Sequence, residues 1–148
     1  MKKILMMALI ALATGTTAFA GPKTGSAKAA EHFSTSFKSA KNINWKVSPS
    51  FDKVSFEMDN EKVNAFYDME GDLIGTSKTI GLEKLPASAL EVITTKYTFP
   101  EHQLKECIEF TSSGNEKNYY VSLDKKNETV VLEISRNGGV SVFARTRK

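Results

Sequence analysis

The stretch Lys53-Val54-Ser55-Phe56-Glu57-Met58-Asp59-Asn60-Glu61-Lys62-Val63-Asn64-Ala65-Phe66-Tyr67-Asp68-Met69-Glu70-Gly71-Asp72-Leu73-Ile74 decides the fold. Its apolar residues recur at every second position: Val54, Phe56 and Met58, then Val63, Ala65 and Tyr67. Alternation of that period puts successive side chains on opposite faces of a β-strand. Asp59-Asn60-Glu61 separates the two runs, and Asp68 to Asp72, with its glycine, ends the second. Both segments carry the short polar residues and glycine that tight turns favour. Trp45 and Val47 alternate upstream, and Leu73 to Thr79 follows downstream, so about four antiparallel strands are expected here. Ahead of them, Ala30, Phe33, Phe37 and Ala40 fall in one helical stripe.

The second half repeats this plan. A constant shift of 67 residues sets Val54 on Val121, Phe56 on Leu123, Val63 on Val130 and Ala65 on Leu132. It also sets Tyr67 on Ile134, Gly71 on Gly138 and Leu73 on Val140. Coincident turn glycines raise the match above what shared alternation alone produces. Leu90, Ile93 and Tyr97 mark a second helix, which Pro86 opens and Pro100 closes. Leu104, Ile108 and Phe110 share one face of the strand that follows, and Asn137-Gly138-Gly139 is a tight turn. The expected fold is therefore α+β, with two tandem units, residues 27–80 and 81–148, each a helix plus about four antiparallel strands. The helices pack on one side of the sheet, because neither helix stripe nor sheet face can bury its apolar surface alone. Side by side, the two units can form one longer sheet.

The chain opens with an export signal. Lys2 and Lys3 precede the uncharged run Ile4 to Ala13, and Ala18-Phe19-Ala20 offers a peptidase small residues, placing cleavage between Ala20 and Gly21. The run is shorter than the roughly 18 to 20 residues a bilayer span requires. Residues 21–26 read as a flexible lead, so the exported domain is expected in the periplasm or the medium. Taking 20 residues from 148 leaves 128, and loss of two lysines lowers Lys plus Arg from 20 to 18 against 17 acids. A net charge near +1 is far from the basic surface that nucleic acid demands. Cys107 is the single cysteine, so packing rather than an internal disulfide must hold the domain.

The phrase Lys62 to Ile74 resembles PepSY-type domains, in which a strand runs into an acidic turn with a glycine and then an aliphatic residue. Over residues 27–148 the chain is most similar to exported PepSY-like domains described as β-lactamase-inhibitor-like. That resemblance implies binding or inhibition of a protein partner. It carries no inhibitor residue onto this sequence, because no motif here matches the inhibitor's contact loops.

Catalytic and metal constellations find little support. Cys107 with His32 or His102 is the one possible thiol–imidazole pair, and nothing near them supplies an orienting third group. Asp68, Glu70 and Asp72 sit around a glycine at the fourth position, where a calcium loop needs it at the sixth. A hairpin turn with solvated carboxylates explains them, and a polar turn explains the sequon Asn127-Glu128-Thr129. Glu57, Glu106, Glu109 and Glu133 lie on strands without any two being singled out. No catalytic residue, metal or cofactor is expected.

Alternation does assign Phe66, Ile74, Tyr120, Val131 and Phe143 to the faces opposite the helices, among Asn64, Ser122, Asp124, Glu133, Ser141 and Arg145. Large apolar side chains in a polar field are common on recognition surfaces, although strands favour aromatics in any case. The expectation is that these five residues are exposed and bind an envelope or extracellular protein or peptide. The alternative is a small-ligand carrier or sensor with a cavity between helix and sheet, reported by Trp45.

Overall fold

A computed structural model describes residues 25–148. The expected export signal, the expected Ala20/Gly21 cleavage point and residues 21–24 of the expected lead lie outside the described residues. Helix α1 (Ala27–Ser36) is followed by β1 (Lys41–Val47), β2 (Asp52–Met58), β3 (Glu61–Tyr67) and β4 (Leu73–Thr79). A 3-10 turn at Leu82–Lys84 leads to α2 (Ala87–Lys96), then β5 (Gln103–Ser112), β6 (Lys117–Lys125), β7 (Glu128–Ser135) and β8 (Val140–Arg147). All eight strands form one antiparallel sheet in chain order, with β4 against β5 joining the two units. The helices start 60 residues apart and β3 and β7 start 67 apart, so seven extra residues enter between α2 and β6.

Both helices pack through the expected stripes: Phe33, Phe37 and Ala40 meet the first core, Ile93 and Tyr97 the second, and only the first member of each stripe differs. Ala29 and Phe33 are buried in α1, and Ala89 and Ile93 in α2, while Ala30 and Leu90 stand half-exposed. Ser26 caps α1 by accepting from the Ala29 N–H at 3.2 Å, satisfying one of the amides a helix start leaves free. Pro86 stands just outside α2 rather than in its first turn. In each unit the turn glycine of the second hairpin touches the helix start. Gly71 (φ +83°) lies against Ser26 and Lys28, and Gly138 (φ +84°) against Ser88 and Pro86. A side chain at either place would meet the helix and strain the backbone.

Two cores lie between helices and sheet. The first gathers Ala29, Phe33, Val54, Phe56, Ala65 and Tyr67. The second gathers Ala89, Ile93, Cys107, Val121, Leu123, Val130, Leu132 and Ile134 with Leu85. Trp45 packs against Phe33 and Tyr67, with ring centroids 5.6 and 5.8 Å away. The Tyr67 hydroxyl meets His32 Nδ1 at 3.0 Å, so His32 faces the sheet rather than lying on the polar side of its helix. At the acidic turn, Asp68 Oδ1 accepts from the Glu70 and Asp72 amides at 3.0 and 2.8 Å. That carboxylate is spent on closing the hairpin.

Candidate functional site

The face opposite the helices carries a third buried cluster. Phe51, Phe66, Ile108, Phe110, Tyr120 and Val131 form it, with Ile74, Phe143 and Ala144 packed at its border. Phe66 is 3% exposed, Tyr120 4% and Val131 7%, which overturns the expectation that they stand in solvent. The facing was right and the exposure was wrong. Ile74 and Phe143 alone of the five expected binding residues remain half-exposed.

The physical reason is that the large rings of this face cover one another. Phe66 on β3 and Phe110 on β5 bring their ring centroids to 6.4 Å across the intervening β4. Gly75 makes this possible. It pairs with Phe66, and a Cβ there would sit 2.5 Å from the Thr111 carbonyl oxygen and 2.6 Å from Phe110 Cζ. Phe51, from the β1–β2 turn, adds its ring 6.1 Å from Phe66. The β5 phase contributes as well: Leu104 is half-exposed, Cys107 points to the helices, and Ile108 and Phe110 point away from them. A bulge between Leu104 and Glu106 separates Leu104 from the phase of the other two.

Around the cluster the face is polar. Tyr120 pairs across the ladder with Glu133 and donates its hydroxyl to Glu133 Oε1 at 2.9 Å, and its ring meets Phe143 edge-on at 5.3 Å. Burial, with the Glu133 carboxylate beside it, raises the Tyr120 pKa well above its ordinary value. Ser55 Oγ donates to Asn64 Oδ1 at 2.7 Å, and Asn64 Nδ2 reaches Ser77 Oγ at 3.5 Å. Lys53 pairs across the ladder with Phe66 and with Lys46, so both lysines share this face. Burial, then the neighbouring Lys46, lowers the Lys53 pKa, while Glu106 opposes the shift. Burial raises the pKa of Glu106, and Lys53 and Lys105 oppose that.

The remaining candidates do not assemble into chemistry. Cys107 is 2% exposed, and burial pushes its thiol up to about 12, far from a thiolate at neutral pH. Among the described residues no three or more His, Cys, Asp or Glu side chains gather as metal ligands would. No helix among them is long and apolar enough to cross a membrane. Trp45 is in contact with its own chain, including Gly25, where an added Cβ would lie 2.6 Å from the ring. Sequence reasoning missed Phe51, Ile108 and Phe110 as members of this face, and the lysine pair as its neighbour.

No protein-family model matches the chain, and no curated protein matches it in sequence. Solved structures do match. A DUF2874 family protein of Bacteroides uniformis has a TM-score of 0.69 at 8% identity, covering 84% of this chain and 90% of the other. A Bacteroides eggerthii protein provisionally called periplasmic gives 0.69 at 9%, covering 84% and 90%. A BLIP-like protein of Bacteroides fragilis gives 0.66 at 13%, covering 86% and 89%. The order of helix and four strands, taken twice into one sheet, is thus shared along nearly the whole length of these proteins, and the chain has the fold of the DUF2874 and BLIP-like proteins of Bacteroides.

Proposed function

We propose that this chain is an exported, non-catalytic binding protein that engages an envelope or extracellular protein or peptide through its helix-free sheet face, in the manner of an inhibitor or sequestering factor. The observation that carries this reading is the build of that face. It has its own buried aromatic floor, with Tyr120 held by Glu133 and Phe143 standing half-exposed on Tyr120. A pre-formed floor lowers the ordering cost of binding. The contact surface is accordingly the rim: Phe143 and Ile74 with Ser141, Asn64 and Lys62, while Phe66, Tyr120 and Val131 support it from below. The likeness to a BLIP-like protein and to one provisionally called periplasmic favours both the binding role and the compartment.

The test is a photo-crosslinking residue placed at Phe143 in the living cell, with the same probe at Glu31, exposed on α1, as the control. A discrete crosslinked protein or peptide from Phe143 and none from Glu31 is expected. Equal labelling at both positions, or no product from Phe143, refutes the proposal.

A further inference from the structure

Charge on the helix-free face is divided between the two repeats. In the first, ladder pairing puts Lys41, Lys46, Lys53 and Lys62 on this face against one carboxylate, Glu57. Glu57 is already engaged by Asn42 Nδ2 at 2.7 Å. Lys46 and Lys53 stand directly opposite one another, a pairing of like charges that works against the sheet. None of the four lysines is in an ion pair among the described residues. Lysines on an exposed edge strand also deter edge-to-edge association, which accounts for Lys41 and Lys46 on β1. It does not account for Lys53 and Lys62, which lie on β2 and β3 inside the sheet.

The second repeat carries the opposite sign on the same face. Glu133 pairs with Tyr120, Glu106 with Ser122 and so with Val131, and Asp124 follows two residues along β6. Lys148 neutralises Asp124 at 3.0 Å, and Lys105 at the Leu104/Glu106 bulge acts on Asp124 and Glu106. Glu133 accepts from Tyr120 and Asn118, while Glu106 and Glu133 have no ion pair among the described residues. An anionic polymer or a flat anionic membrane laid along the face would meet these carboxylates as well as the lysines.

We infer that the partner is a protein segment with localised charge, presenting carboxylates to Lys46 and Lys53 and neutral or basic groups to Glu106 and Glu133, so that it lies on the face in one orientation. This rests on the binding role proposed above and adds the partner's chemistry and its direction. Such complementarity fixes register and partner choice.

The experiment uses the Phe143 photo-crosslinker in the native envelope, in the wild-type background and with Lys46→Glu/Lys53→Glu. The reversal should lower the yield of the crosslinked partner by about tenfold or more, the loss of at least ~1.4 kcal/mol of binding. Lys46→Gln/Lys53→Gln, which spares the fold if the reversal does not, should lower it by a smaller factor. A zero-length carbodiimide should join Lys46 or Lys53 to an Asp or Glu of the same partner. An undiminished yield in both double variants overturns the inference while leaving the binding face intact. Absence of any Phe143 product in the wild type removes the binding role itself. Displacement of the partner by heparin or by phosphatidylglycerol vesicles bound over the lysines would assign them to a polyanion and overturn the inference.

Discussion

Gly75→Ala tests how the helix-free face closes. The new Cβ would lie 2.5 Å from the Thr111 carbonyl oxygen, 2.6 Å from Phe110 Cζ and 3.0 Å from the Ser112 Cα. Two of those atoms are backbone of the paired strand and have nowhere to swing. The ring can retreat only by giving up its place beside Phe66. Overpacking of this kind costs about 1–3 kcal/mol. Against it, replacing glycine restricts the unfolded chain, which returns roughly 0.4–1 kcal/mol. The net expectation is a loss of about 1–2 kcal/mol, or a melting temperature lower by roughly 4–10 °C for a domain of this size. Thermal unfolding followed by circular dichroism, with Trp45 fluorescence in parallel, measures it. Phe110→Leu in the same background should relieve part of the clash, so the double variant should be more stable than the sum of the singles by at least ~0.5 kcal/mol. A melting temperature within about 2 °C of wild type, or strict additivity, would refute the idea that Phe110 packs closely over Gly75.

Four further outcomes are expected. Gly71→Ala and Gly138→Ala each force a side chain to φ near +83° or +84° against a helix start, and each should destabilise by about 1–3 kcal/mol in chemical denaturation. His32→Ala strips the partner from the buried Tyr67 hydroxyl and should cost roughly 1–3 kcal/mol; His32→Ala/Tyr67→Phe should recover part of that, and equal loss in both would count against it. Cys107 should resist a disulfide reagent at neutral pH until the chain unfolds. Burial holds its thiol and the Tyr67 phenol up to about 12, above ordinary values of 9.0 and 10.0. The unfolded chain then binds fewer protons than the folded one in that window, so stability is full below about pH 9 and falls as pH rises toward about 12. Urea midpoints at rising pH check the sign, and an increase across the window would contradict it.

What could be read from the residues was the pairing plan, because alternation and turns are local. Val54 and Phe56, Ala65 and Tyr67, and the glycines at 71 and 138 all lie where period two and turn chemistry put them. The helix stripes hold at Phe33, Phe37, Ile93 and Tyr97; only their first members differ, Ala29 and Ala89 being buried where Ala30 and Leu90 are half-exposed. The exposure of the candidate site was not legible. Facing follows from counting along a strand, and it correctly put Phe66 and Tyr120 opposite the helices. Burial depends on which rings meet across the strands, which rests on Gly75 under Phe110 and on a bulge at Leu104/Glu106. Neither leaves a mark in alternation. Lys46 and Lys53 were hidden for the same reason, because their opposition is a property of register.

Every strand in the sheet lies beside its immediate neighbour in the chain. No ribbon has to thread past another, and each hairpin can zip as soon as its second arm exists. Loop closures of that kind are short everywhere but between β4 and β5, where α2 intervenes, so the entropic toll before most contacts form is small. A chain delivered N-terminus first could therefore add rungs in order of arrival. The same meander leaves its two outer strands unclosed, so a further helix-and-four-strand unit would lengthen the ribbon without rerouting what is already folded.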